Sequence, residues 1–152
     1  MLISCGTSWV GFTPVKERVI APGYLADPFM IHEGGFWGLI RSWSKVGLEL
    51  EEWIVQHYGK GKARYQKFND DALAGGKAKE KMWETAFTFK KRAFPDRTFD
   101  RICLCGGPSE SPAWRETIAE VWEAEINVSP FDKYTGAVGA AKIAMKGCEK
   151  ND

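Results

Sequence analysis

The sequence predicts an α/β fold, in which a mixed sheet and its helices follow the order βββ-α-α-β-α-β-α. Short apolar runs separated by proline and glycine turns occupy the amino-terminal part, a pattern typical of hairpin strands. Beyond them, segments with apolar residues every three or four positions alternate with short apolar runs, which is how helices and strands build such a sheet. With 152 residues, 44% of them hydrophobic, the chain is long enough for one domain with a buried core.

Strands are predicted in both halves of the chain. In the amino-terminal part, the apolar runs between turn residues predict Leu2 to Cys5, Trp9 to Pro14, Arg18 to Ala21 and Phe29 to His32, the last three as hairpin arms. In the second half, a strand ending at Cys105 and another from Glu125 to Ser129 are predicted.

Four helices are predicted from apolar positions at helical spacing. The first runs from Phe36 to His57, and Gly47 is the point where it would kink. The second runs from about Lys79 to Ala93 and is ended by Pro95. The third carries Trp114, Ile118, Val121 and Trp122 on one side, and the fourth closes the chain with small residues along one face at positions 136, 139, 140 and 143, which would let it lie close to a sheet.

Tryptophans divide into two groups. Helical spacing predicts the core for Trp43, Trp53, Trp114 and Trp122. Trp9 and Trp37 fit no helical stripe, so contact with a partner domain or exposure at the surface is expected for them.

Between Gly59 and Lys79 the sequence is polar, rich in lysine and interrupted by glycine, without a sustained period. We expect a flexible loop there. Its basic residues include Lys60, Lys62, Arg64 and Lys67. They could form a phosphate-binding patch or a solvated surface, and the solvated surface is favoured.

The segment from Arg101 to Trp114 carries the strongest sign of a ligand. An apolar strand breaks into Gly106-Gly107, and a helix follows with Ser111 as N-cap and Pro112 at its first position. Paired glycines let a ring or a phosphate approach the main chain, and the helix directs free N–H groups towards it. Many α/β units turn in this way without binding anything, so this segment alone leaves both interpretations open.

A second small turn, Gly6-Thr7-Ser8, lies between the first two predicted strands and offers backbone amides and hydroxyls to a phosphate. Together with the Gly106 segment and the closing helix from Gly136 to Ala141, it resembles the C-terminal half of the FGGY carbohydrate kinases. The resemblance implies that the whole chain, residues 1–152, is one ATP-binding domain with the ribonuclease-H-like layout of actin-like ATPases. It implies ATP and Mg²⁺ as cofactors, phosphate contacts from Gly6, Thr7 and Ser8, and an adenosine site formed by Gly106, Gly107, Ser109 and Ser111, with Trp114 also matching that motif.

The resemblance also implies what this chain lacks. In the family, the other half carries the sugar pocket, a phosphate loop and the catalytic aspartate, and no aspartate occurs here before Asp27. No catalytic residue is therefore assigned. We expect the ATP-binding half of a sugar or polyol kinase that needs a sugar-binding N-terminal half. The alternatives are a nucleotide-binding module without transferase activity and an inactive remnant that self-associates.

Charge points to no other class of partner. The chain has 21 basic and 20 acidic residues, and this balance does not indicate a nucleic acid or a membrane as a binding partner. Its four cysteines have no zinc-type spacing and are expected to be buried reduced thiols, and no metal site is predicted. Without a leader or an apolar run of membrane-spanning length, a cytoplasmic location is expected.

Overall fold

A six-stranded mixed sheet lies at the centre of the computed structural model, which describes residues 1–27, 35–131 and 134–149. The strands are β1 (Leu2–Cys5), β2 (Trp9–Val15), β3 (Leu25–Asp27), β4 (Trp37–Trp43), β5 (Arg101–Gly106) and β6 (Glu125–Val128). They lie in the order β3-β4-β2-β1-β5-β6. The predicted α/β class with a mixed sheet is confirmed.

Strand direction changes at β1. On one side β1 pairs with β2 in antiparallel fashion, and on the other it pairs with β5 in parallel. Cys5 therefore lies opposite both Trp9 and Gly106. Since β1 and β5 run in the same direction, the loops that follow Cys5 and Gly106 leave the sheet side by side at one edge.

Five helices complete the described fold: α1 (Val46–Tyr58), α2 (Arg64–Leu73), α3 (Lys77–Ala93), α4 (Pro112–Trp122) and α5 (Thr135–Glu149), with a 3₁₀ turn over Gly107–Glu110 before α4. The predicted start of α4 is confirmed. Ser111 is its N-cap, with Oγ accepting from the Trp114 N–H at 3.3 Å, and Pro112 is its first residue.

Aromatic packing joins one face of the sheet to α3 and α4. The Trp9 ring contacts Phe89 and Trp114 edge to face, with centroids 5.6 and 5.3 Å apart. Its exposure is only 1%, so the expectation of a surface or partner contact for Trp9 was wrong. Trp114 and Trp122 are buried as predicted, whereas Trp43, Trp53 and Trp37 are half-buried.

The helix predicted from Phe36 was wrong in its first part, because Trp37–Trp43 is a strand. It pairs with all of β2, from Trp9 opposite Trp43 to Val15 opposite Trp37. No strand forms over Arg18 to Ala21, and a short edge strand lies at Leu25–Asp27 instead. The strand predicted from Phe29 to His32 falls outside the described residues.

The flexible loop predicted from Gly59 to Lys79 was also wrong, because it contains α2 and the start of α3. Phe68 and Ala72 bury one narrow face of α2. Asp71 joins three helices, since its Oδ2 accepts from the Tyr58 hydroxyl at 2.7 Å and from the Ala78 N–H at 2.9 Å. These contacts order the segment despite its polar composition.

Small residues on α5 do not make the close contact with a sheet that was expected of them. Gly136, Gly139 and Ala140 are exposed, and a Cβ added at either glycine would have no neighbour within 4 Å. The side chain at position 143 falls outside the described ones.

Cys5, Cys103 and Cys105 are free thiols in the described part of the chain; Cys5 and Cys105 are buried as predicted, whereas Cys103 is half-buried. No helix among the described residues combines the length and the apolar character needed to span a membrane.

Candidate functional site

A cleft of about 690 Å³ opens at the edge of the sheet where β1 and β5 end. The turn after β1, the 3₁₀ turn after β5, α1 and α2 form most of its wall, and Cys5, Trp9 and Trp114 contribute from β1, β2 and α4. The described residues that line it are Cys5, Gly6, Thr7, Trp9, Gly47, Leu48, Leu50, Glu51, Ile54, Tyr65, Gln66, Phe68, Asn69, Gly107, Pro108, Glu110, Ser111 and Trp114.

The turn after β1 is held in shape by α1. The Gly6 N–H donates to the Ser8 carbonyl at 3.1 Å, and the Thr7 carbonyl accepts from the Gly47 N–H at 3.0 Å. A Cβ built at Gly47 would lie 2.3 Å from the Gly6 carbonyl oxygen. The first turn of α1 therefore packs directly on the main chain of the Gly6-Thr7 turn, and only glycine leaves room for this contact.

The turn after β5 depends on Gly106 in a different way. Gly106 has a φ of 91°, in the region that favours glycine, and a Cβ there would lie 2.2 Å from the Cys5 carbonyl oxygen. The buried Ser109 hydroxyl donates to the Gly106 carbonyl at 2.7 Å and closes the turn. Gly107 is exposed, and a Cβ at this position would have no neighbour within 4 Å.

The structure brings together four of the seven residues predicted to bind a nucleotide. Gly6, Thr7, Gly107 and Ser111 line the same cleft. Gly106, Ser8 and Ser109 are not among its lining residues: Gly106 lies behind Gly107 against Cys5, and the other two make the local hydrogen bonds described above. The binding role of all seven stays a prediction.

Sequence reasoning missed the helical wall of the cleft. On α1 it overlooked Glu51, which lies four residues after Gly47 and so shares its helix face. On α2 it overlooked Tyr65, Gln66 and Asn69, because that segment was interpreted as a loop. Phe68 and Ala72, four residues apart, were the available signal for α2, but they give only one helical step.

Glu51 lies in a group of hydrogen bonds at the cleft. Its carboxylate accepts from Arg64, with an Nη2–Oε1 distance of 2.7 Å, and from the Tyr65 hydroxyl. The hydrogen bond to Glu51 raises the pKa of Tyr65, with burial and the negative charge of Glu51 adding to the effect. Arg64 also lies over the Tyr65 ring, 4.5 Å from its centroid. These contacts hold α1 and α2 together beside the cleft.

Two carboxylates, Glu51 and Glu110, line the cleft, and no lysine or arginine does so among the described residues. Cys5 is buried there, and burial raises the pKa of its thiol well above the usual value, with Cys105 adding to the effect. Cys5 is therefore an uncharged thiol at neutral pH. No group of three or more histidine, cysteine or acidic side chains suited to a metal ion occurs in the described part of the molecule.

The fold and the cleft define an α/β domain with a ligand-sized cavity at the carboxyl ends of parallel strands. No protein-family model and no curated protein matches the sequence. Among solved structures, the fold is similar to part of a xylulose kinase from Rhodospirillum rubrum, with a TM-score of 0.68 and 13% sequence identity. The match covers 94% of this chain and 38% of the xylulose kinase.

Proposed function

We propose that this chain is the ATP-binding domain of an FGGY-type carbohydrate kinase, with the ribonuclease-H-like topology of that family. One observation carries the proposal. The Gly6-Thr7 turn and the Gly107–Ser111 segment are about 100 residues apart in the sequence, yet they line one cleft. The fold similarity to part of a xylulose kinase supports the same assignment.

The cleft has the size and composition expected of a nucleotide site. Its volume of about 690 Å³ falls within the range of about 300–1,000 Å³ for small-molecule sites. Leu48, which is 50% exposed, contributes apolar surface for a flat ring, and the buried side chains of Trp9, Leu50 and Ile54 also line the cleft. Ser111 and Asn69 place polar atoms beside that surface, and the Gly6 and Gly107 backbones can be approached closely.

We assign the sugar site and the general base to a partner kinase half. Phosphoryl transfer depends on aligning the acceptor hydroxyl with the γ-phosphate and on a group that accepts its proton. The two carboxylates of the cleft are not suited to that task. Glu51 already accepts from Arg64 and Tyr65, and Glu110 lies at the exposed end of the 3₁₀ turn. In the proposal this domain holds and orients the nucleotide.

Magnesium fits the proposal only as a companion of the nucleotide. The described residues of the cleft offer no pair of free carboxylates. Nowhere among the described residues do three or more histidine, cysteine or acidic side chains cluster as a metal site would require. Mg²⁺ commonly binds through substrate phosphates and water with one or two carboxylates, so a dedicated magnesium site does not fit this cleft.

Exposed apolar surface on α5 favours a second activity, association with another polypeptide. Met145 on α5 is 64% exposed, and Tyr134 and Phe131 just before the helix are 62% and 41% exposed. Such a surface would suit either the sugar-binding half or a second copy of this chain. Sedimentation velocity over a range of concentrations would detect self-association, and a monomer at all concentrations would leave the sugar-binding half as the partner.

Calorimetric titration of ADP and Mg·ATP tests nucleotide binding. Gly107→Val is the variant of choice because a Cβ at this position has no protein atom within 4 Å and Gly107 lines the cleft. Gly61→Val is its matched control, since Gly61 also has open space around it and lies in the loop between α1 and α2. We expect saturable binding to the wild type and to Gly61→Val, and a loss of about tenfold or more in affinity for Gly107→Val, or about 1.4 kcal/mol.

Either of two results would count against nucleotide binding at this cleft. One is the absence of binding to the wild-type chain at millimolar nucleotide, and the other is equal affinity for Gly107→Val and the wild type. Circular dichroism of each variant verifies that the fold is intact.

A further inference from the structure

We infer that Asn69 is a specificity-determining residue of the cleft, whose side-chain amide recognises the edge of an adenine ring. The inference rests on the proposed nucleotide site and goes beyond it, because it names the atoms that select the base. Asn69 lies on α2, is half-buried and lines the cleft.

Ser111 fixes the position of the Asn69 amide. The Ser111 hydroxyl donates to Asn69 Oδ1 at 2.9 Å and accepts from the Trp114 N–H at 3.3 Å. Ser111 is 5% exposed and is held as the N-cap of α4. Helix α4 therefore fixes the Ser111 hydroxyl, and this hydroxyl fixes the Asn69 amide. The two residues are 42 positions apart in the sequence.

The other side-chain amide in this part of the cleft is used differently. Gln66 lies one turn earlier on α2, is exposed, and donates through Nε2 to Asp70 Oδ1 at 2.7 Å. By contrast, Asn69 Nδ2 has no hydrogen-bond partner among the described residues. Asn69 thus combines a fixed amide with a donor available to a ligand.

An amide held in this way matches adenine. Asn69 Oδ1 has a second lone pair that can accept from the exocyclic amine, while Nδ2 donates to an adjacent ring nitrogen. Hypoxanthine carries a carbonyl in place of that amine, so its oxygen would lie against Oδ1. A bidentate pair of this kind discriminates between bases by roughly 5- to 150-fold. The cleft should therefore prefer ADP to IDP within that range.

Competing titrations of ADP and IDP test the inference. Asn69→Ala removes both amide contacts and should reduce the preference for ADP to about twofold or less. Asn69→Asp keeps the shape and the acceptor for the Ser111 hydroxyl but removes the donor, so ADP affinity should fall about fivefold or more with the fold retained. Asn127→Ala, an amide removed from an exposed position on β6, is the control and should preserve the wild-type preference.

The results separate this inference from the proposed function. Tight ADP binding with the same ADP-to-IDP preference in wild type and Asn69→Ala would overturn the role of Asn69 and leave the nucleotide site standing. Absence of binding of either nucleotide to the wild type would overturn both.

Discussion

Replacing Gly47 with alanine should destabilise the protein, although alanine is the better helix former. Gly47 lies in the first turn of α1, and its N–H donates to the Thr7 carbonyl at 3.0 Å. A Cβ at this position would lie 2.3 Å from the Gly6 carbonyl oxygen and 2.9 Å from Thr7 Cα. Both neighbours are main-chain atoms, so no side chain can rotate away to relieve the contact.

The size of the effect follows from the displacement that the methyl group requires. Real Cβ contacts essentially never fall below 3.0 Å, so the helix and the Gly6-Thr7 turn must separate by about 0.7 Å. Overpacking of this kind costs about 1–3 kcal/mol. The higher helix propensity of alanine stabilises the variant by less than about 1 kcal/mol, because Gly47 lies near the helix end. We expect a net loss of about 1–2 kcal/mol, which corresponds to a fall of about 2–8 °C in Tm.

Urea unfolding monitored by tryptophan fluorescence measures this loss. Gly47→Ala should lower the midpoint with an unchanged m value, which marks a change in stability. Gly139→Ala on α5 is the matched control, because a Cβ there has no neighbour within 4 Å and its stability should equal or exceed that of the wild type. A Gly47→Ala midpoint at or above the wild-type value would refute the close contact between α1 and the turn.

Two further predictions concern the hydrogen bond between Tyr58 and Asp71. The Tyr58 hydroxyl and the Ala78 N–H lower the pKa of Asp71, so its stabilising effect is present above the ordinary value of 3.8 and is lost as pH falls through the folded-state value. Thermal melts should therefore lose more stability below about pH 4 in wild type than in Asp71→Asn, and parallel pH curves would contradict this. Burial, followed by the hydrogen bond to Asp71, raises the pKa of Tyr58 above its ordinary value of 10.0, so its stabilising effect is lost as pH rises beyond that value. Ultraviolet titration of tyrosine ionisation should show that Tyr58→Phe loses amplitude from the late-titrating part of the curve, where Tyr65 remains, and loss of amplitude from the ordinary range near pH 10 instead would contradict the assignment.

The error over the first predicted helix shows how two periods can coexist in one sequence. Leu39, Ile40 and Trp43 fit helical steps of three and four residues. The same stretch also fits a strand, in which Leu39 and Trp43 share one face with Arg41. Pairing along all seven residues of β2 decides in favour of the strand, and such a long-range partner cannot be read from the local sequence.

For α2 the local signal is weak because the helix is stabilised mainly by its neighbours. Its N-cap, Ala63, makes no side-chain capping bond, and Phe68 and Ala72 are its buried residues. Its order depends on contacts with α1 and α3, among them the Glu51–Arg64 ion pair and the hydrogen bonds of Asp71. The glycine turns were predictable because φ preference and capping act within a few residues, whereas the helical wall of the cleft required the tertiary structure.

Glycine is required for different reasons at different positions around the cleft, and this difference bears on the proposed function. Gly47 and Gly106 are required by packing, because a Cβ at either position would meet main-chain atoms at 2.3 and 2.2 Å. They would be needed whether or not the cleft binds a ligand, so they are weak evidence for a nucleotide. At Gly107 a Cβ would have no protein atom within 4 Å, and the residue lines the cleft. A requirement for glycine at that position would have to come from a bound molecule, which is why nucleotide binding by Gly107→Val separates the function of the cleft from the stability of its walls.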